Sequence, residues 1–308
     1  MNDPSFRAVD RDGFPVASTF DDLIPREEIA VVEHAGHVWW RGGLAIVGIG
    51  LLFAAIGQQL WSAGREGIAR KMLENGVHDL FAGDADAALA DFDRAILLKN
   101  DMGISYLLRA KAQVGAGRLE AALADLDRAR ELNYDTLEVS QNRGIVLLRM
   151  GRHREAIDES TSGLARVSEF DQHVLLNSRA YARAIAGIEL DEALKDIERA
   201  IAYGGEEAAY LDTRGYILHL LGQNDKALAD LYRAVEMTVE WNESLLEKAR
   251  RRRSDLEYRV LAKELDEYLA VLLHHRGLAL MAVNRQVEGK DDLRRAVQLG
   301  YNPDAGVF

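Results

Sequence analysis

Thiolate chemistry is closed to this 308-residue chain, which has no cysteine. Disulfides, cysteine-based zinc sites and a lipidated cysteine anchor go with it, while the redox compartment stays open. The remaining candidates are histidines, carboxylates and cations. His34 and His37 stand three apart and would share one helical face, as two metal ligands do, but no third ligand lies near them in the sequence. His274 and His275 are adjacent and must diverge on a helix. Asp84, Asp86, Asp91 and Asp93 offer oxygen ligands without the loop glycine and terminal glutamate that a calcium loop needs. No Gly-rich phosphate loop or nucleophile elbow is present. The chain is therefore expected not to be an enzyme, with no catalytic residue, no cofactor and no metal site.

Lys248 and Arg250–Arg253 make the one dense basic run. Such a run could engage anionic lipid, an acidic partner or nucleic acid. Glu240, Glu243, Glu247 and Asp255 neutralise much of its field, so a solvated face of a long helix is the expected role. The formal charge of −12 argues against a general nucleic-acid binder, because phosphate contacts need a basic footprint.

The elements that must position these groups recur. Gly83–Ala88–Ala95 returns 34 residues later as Gly117–Ala122–Ala129 and again as Gly151–Ala156–Gly163. A fixed period of this size signals stacked helix–turn–helix units, each unable to bury its apolar face alone.

One stretch stands outside the repeats. Residues 42–64 hold no charge, and as a helix they would be about 35 Å long, enough to cross a hydrocarbon core of about 30 Å. Trp39, Trp40 and Arg41 precede the stretch, and Trp61 and Arg65 lie at its far end, as interfacial anchors do. The expectation is a single transmembrane helix, with residues 1–24 a flexible tail and 25–41 an amphipathic juxtamembrane helix begun by Pro25. Arg26 and Arg41 on one side against Arg65, Arg70 and Lys71 on the other do not fix an orientation. Gly50 and Ala54 form a small-xxx-small pair within the span, a hint of helix dimerisation and so of a homo-oligomer.

Over residues 69–308 the pattern resembles the tetratricopeptide repeat family in about six copies. First-helix small residues are Gly76, Ala110, Gly144, Ala180, Gly215 and Gly277, and turn glycines are Gly83, Gly117, Gly151, Gly187 and Gly222. Second-helix small pairs run from Ala88/Ala95 to Gly289/Ala296, with Phe92, Leu126, Ser160, Ile197, Leu231 and Leu293 between them. The resemblance implies an all-α fold, a right-handed helix–turn–helix solenoid following the membrane helix. The chain departs from the pattern in places. Ser160 and Gly163 predict looser packing in repeat 3, repeat 4 has an extra turn residue, Asn284 replaces the turn glycine of repeat 6, and no copy has the closing proline. Repeat 6 also starts 28 residues late. The intervening insertion, about 239–268, reads as an extended first helix of repeat 6, with a kink or short hairpin near 250–255 as the alternative.

Overlaying the copies exposes a charge ladder. Arg109, Arg143, Arg179, Arg214 and Arg276 precede the first-helix small residue, and Asp125, Glu159, Asp196, Asp230 and Asp292 recur in the second helix. Antiparallel helices should join them into five forks that fix helix geometry, more than they would form an anion-binding row. Repeat 1 places Asn75 opposite Asp91.

In the resembled family, first helices line a concave groove that takes peptides or partner surfaces. Carried onto this chain, the groove positions are Leu107, Lys111, Gln141, Ile145, Asn177, Tyr181, Asp212, Tyr216, His219 and His274. They do not match the carboxylate clamp of some relatives. The expected function is a membrane-anchored interaction scaffold, placed in the cell membrane, that binds a protein or peptide partner. The alternative is a structural, self-associating component that braces a membrane assembly.

Overall fold

The computed structural model describes the backbone of residues 44–252 and 255–302, and the side chains of 63–251 and 258–302. Among the described residues there are twelve α-helices and no strand. They are α1 (Leu44–Phe81), α2 (Ala85–Leu98), α3 (Gly103–Gly115), α4 (Leu119–Glu131), α5 (Leu137–Arg149), α6 (His153–Leu164), α7 (Gln172–Ala186), α8 (Leu190–Gly204), α9 (Ala208–Leu220), α10 (Asn224–Arg252), α11 (Asp255–Ala282) and α12 (Gln286–Gln298). Successive pairs, α1/α2 through α11/α12, form six helix–turn–helix units.

Each unit turns on a left-handed residue. Gly83 (φ 77°) ends α1, with its N–H donating to the Leu80 carbonyl at 3.0 Å and that of Asp84 to the Asp79 carbonyl at 2.9 Å. This is the Schellman pattern, which satisfies carbonyls left open at the helix end. Repeat 6 achieves the same turn with Asn284 (φ 63°), because asparagine tolerates that region. The extra residue of repeat 4 is absorbed by Glu189 (φ 52°), just before α8.

The small first-helix residues exist because the helices nearly touch. A Cβ on Gly76 would lie 2.5 Å from the Phe92 ring, one on Gly215 2.7 Å from Leu231, and one on Gly277 2.9 Å from Leu293. Repeat 3 is slack at this crossing, where a Cβ on Gly144 would meet only Ser160 Oγ at 3.9 Å. Its other irregular residue, Gly163, is tightly filled, since Leu175 of the next repeat would come within 2.8 Å of a Cβ there. The expected looseness is therefore confined to one side of α6.

All five ladder pairs form. Arg109 forks onto Asp125 at 2.7 and 2.6 Å, Arg179 onto Asp196 at 2.7 and 2.8 Å, Arg214 onto Asp230 at 2.6 and 2.7 Å, and Arg276 onto Asp292 at 2.7 and 2.8 Å. Arg143 reaches Glu159 with one bond of 2.9 Å. Three of the arginines also bond the second helix of the preceding repeat: Arg109 to Asp93 at 2.6 Å, Arg143 to Asp127, and Arg179 to Thr161 at 3.2 Å. The ladder thus ties repeats to one another as well as helices within a repeat. In repeat 1, Asp91 pairs with Arg94 at 2.8 Å.

The insertion is shared by two helices. α10 and α11 hold 29 and 28 residues, where α2 to α9 and α12 hold 12 to 15. Their extensions pair as a hairpin with Ala249 and Leu265 buried in the seam, and Asn242 Nδ2 donates to the Leu265 carbonyl at 3.4 Å. The first helix of repeat 6 is extended toward its N-terminus as expected, but only from Asp255, and α10 ends at Arg252, which is the hairpin alternative near 250–255. Apolar residues occur on both sides of 253–254, so each side can zip against the other.

The tail, 1–24, and the juxtamembrane segment, 25–41, with His34 and His37, lie outside the described residues. So do the side chains of the apolar stretch up to residue 62, although its backbone from Leu44 onward is the first half of α1. Among the described residues no helix is long and apolar enough to cross a membrane.

Candidate partner-binding face

The first helices of neighbouring repeats pack against one another, α3 on α5, α5 on α7, α7 on α9 and α9 on α11. In repeat 2, Leu107 is fully buried and Lys111 donates to Glu138 Oε1 of the next first helix at 2.8 Å. Gln141 on α5 is buried. On α7, Tyr181 is buried, and desolvation pushes its phenol well above the ordinary range, with the Asp212 carboxylate adding to the effect. Asn177, one turn earlier, is half-buried, and its amide oxygen is shielded from solvent without a hydrogen bond to any described residue.

The face is richest where α7, α9 and α11 meet. Asp212 is buried and accepts from His275 Nδ1, with its two oxygens at 2.9 and 3.0 Å. The Tyr216 ring stacks on His275 with centroids 4.2 Å apart, and His274 stacks on Tyr301 at 4.1 Å. Burial pushes the His274 imidazole down to about 4, with the neighbouring His275 contributing in the same direction. His274 is therefore neutral at neutral pH. His219 has turned away to the end of α9, where its Nδ1 pairs with Asn224 Oδ1 at 2.7 Å.

The structure thus brings together Tyr181, Asp212, Tyr216 and His274. Lys111 and Gln141 sit toward the other end of the row, and His219, in the last turn of α9, bonds Asn224 at the start of α10. Sequence reasoning missed His275 and Tyr301. Both carried a signal: His275 is the neighbour of a groove position, and Tyr301 occupies the place of the family's closing proline. The two adjacent histidines diverge as a helix requires, His275 toward α9 and His274 toward the chain end.

The other clusters serve the scaffold. Asp84 caps α2 by accepting from the Ala87 N–H at 3.0 Å, and Asp93 is taken by Arg109. Among the described residues no group of three His, Asp or Glu is placed to hold a metal ion. In the basic run, Arg251 pairs with Glu247 at 2.7 Å and Arg250 lies over the Tyr258 ring at 5.6 Å. Glu159 collects several arginines. Burial alone would raise its carboxyl, but bonds from Arg130 and Arg143 hold it below the ordinary value.

No protein-family model matches the chain, and no curated protein matches it. Solved structures share its fold. PilW, a type IV pilus biogenesis factor, is similar with a TM-score of 0.55 and 14% identity over 77% of this chain and 96% of that one. A tetratricopeptide repeat protein from Parabacteroides merdae gives 0.50 and 17%, covering 77% and 94%. A chain of the Cut9–Hcn1 hetero-tetramer of APC/C gives 0.51 and 17%, covering 74% of this chain and 42% of that one. At such identities the likeness shows the fold, which is that of tetratricopeptide repeat proteins.

Proposed function

We propose that the chain is a protein–protein interaction scaffold whose concave face, lined by first helices, holds an extended peptide or a partner helix without making or breaking a covalent bond. The reading is carried by Asn177 on α7, whose buried amide oxygen has no hydrogen-bond partner among the described residues. A buried acceptor left unpaired costs about 1–3 kcal/mol, and a backbone N–H from a partner would satisfy it. Tyr216 and His274, half-buried in the next two repeats, add flat apolar surface with polar edges. In this reading residues 42–64 anchor the scaffold as a single pass in the cell membrane, and α1 carries helix from the apolar stretch into the first repeat without a break.

Proximity labelling from the C-terminus of the native full-length chain, compared with Asn177→Ala/Tyr216→Ala, tests the groove. A partner set that the double variant retains unchanged would overturn it. Carbonate extraction of the full chain tests the anchor separately, since release into the supernatant removes the membrane from the proposal.

The self-associating reading has its own support in exposed apolar side chains, Trp241 on α10 and Val287 on α12, the latter 84% exposed. Light scattering on the detergent-solubilised chain decides it, because a monodisperse monomer would exclude it.

A further inference from the structure

The repeats provide an internal control for the end of their second helices. Two residues beyond the second small position stand Leu97, Glu131, Ala165, Ala202, Glu236 and Gln298, and all of these are exposed. In repeats 2 to 6 the residue is charged, polar or an alanine, as contact with water favours. Repeat 1, which adjoins the uncharged stretch, has a leucine there that is 81% exposed.

The level of Leu97 is set by α1. Arg65 Nη2 donates to the Leu97 carbonyl at 3.5 Å, and Lys99 Nζ lies 3.6 Å from Glu66, so the end of α2 has come back beside residues 65 and 66. Arg65 is the first charged residue after the uncharged stretch 42–64. The rim where successive repeats join falls at nearly the same level. Ile68 stands eight residues before Gly76, and the matching positions Met102, Thr136 and Glu207 are the N-caps of α3, α5 and α9. α1 alone runs on through that level without a break. A Cβ on Gly64 or Gly67 would meet nothing within 4 Å, so those sides of α1 are open, and Ile68 is exposed.

From Gly64 to Ile68 the helix climbs about 6 Å. The headgroup zone flanking a hydrocarbon core is about 5–7 Å deep on each side. With residues 42–64 spanning the bilayer, Arg65, Ile68 and Leu97 therefore fall within that zone, where a cation beside apolar side chains is favoured. The carboxylates at this level are each held by a cation: Glu66 accepts from Arg70 at 2.8 Å, and Asp101 pairs with Lys99 at 3.0 Å.

We propose that the joined end of repeat 1 is a membrane-docking surface. Leu97 and Ile68 enter the boundary between headgroups and acyl chains, and Arg65 meets lipid phosphate. The contact rests on the anchor reading above and adds a stance to it: α1 and α2 stand on the bilayer by their shared end, with the Gly83 turn about 27 Å farther out.

The absence of native cysteine makes the test direct. The full-length chain is placed in nanodiscs of phosphatidylcholine and phosphatidylglycerol with one nitroxide, on Leu97→Cys, on Asp86→Cys near the Gly83 turn, or on Ala54→Cys within the stretch. Leu97 and Asp86 are both highly exposed, so their replacement leaves the packing intact. Power saturation then compares collisions with oxygen, which concentrates among acyl chains, and with a water-soluble nickel chelate. The Ala54→Cys label should favour oxygen and the Asp86→Cys label nickel. The Leu97→Cys label should lose nickel collisions relative to Asp86→Cys, and adding Ile68→Glu should restore them, because a carboxylate there disfavours docking. Equal nickel access at Leu97→Cys and Asp86→Cys, with Ala54→Cys embedded, overturns the docking and leaves the anchor. Open nickel access at Ala54→Cys overturns the anchor and the docking with it.

Discussion

His275 on α11 donates through Nδ1 to Asp212 on α9 at 2.9 Å, and both side chains are almost fully withdrawn from solvent. The pair lies across the insertion and is a polar link between repeat 6 and repeat 5. Removing one member of a buried pair strands the other. His275→Ala is expected to destabilise the fold by about 3 kcal/mol, measured by chemical denaturation. Asp212→Asn should cost less, because a neutral amide still accepts the bond. A loss below about 1 kcal/mol for His275→Ala would mean the pair is not a structural link.

The helix crossings make a paired forecast. Gly144 faces Ser160 with room for a methyl group, so Gly144→Ala should stabilise by up to about 1 kcal/mol through the lost flexibility of a mid-helix glycine. A Cβ on Gly277 would press on the backbone oxygen of Gly289 at 3.0 Å as well as on Leu293. Gly277→Ala should therefore destabilise by about 1–3 kcal/mol. Calorimetric melting of the two variants should show shifts of opposite sign.

His274 predicts a pH window. Its ordinary value is 6.5, and burial brings it to about 4 in the fold. The unfolded chain therefore takes up a proton that the folded chain refuses, so stability falls as pH drops from about 6.5 to about 4. The groups that face it are His275 on its own helix, Asp212 on α9 and Tyr301 beyond α12. Denaturation curves of His274→Phe should lose part of this slope, and an identical slope in the variant would refute the assignment.

The ladder should behave as paired charges do when partly buried. Arg214→Met strands Asp230 and is expected to cost about 2 kcal/mol, whereas Arg214→Met/Asp230→Leu should recover most of that loss. A double-mutant cycle in urea reads the coupling. If the two losses simply add, the fork contributes no coupling.

The ladder is also where the sequence was most legible. Arg109 and Asp125 are 16 residues apart, a separation fixed by two helix lengths and one tight turn, so overlaying the copies was enough to pair them. The groove positions were legible only as a face. Whether Gln141 and Tyr181 would be buried while Asn177 stayed half-exposed depends on how closely neighbouring first helices approach, which no single repeat encodes. The insertion was ambiguous for a related reason. Its apolar period suits either one long helix or two paired ones, and the difference lies in whether a partner surface is present.

By itself the sequence determined the period, the turns, the helix crossings and the Arg–carboxylate forks, because each depends on residues within one or two units of about 34 positions. Only the tertiary structure decided which residues meet between units far apart in the chain. The Asp212–His275 pair depends on the stacking of α9 against α11. The approach of Val260 to Gly83 depends on the accumulated curvature of all six repeats. Small rotations between repeats add along a solenoid, so contacts between its ends are a property of the whole array, and local patterning carries no record of them.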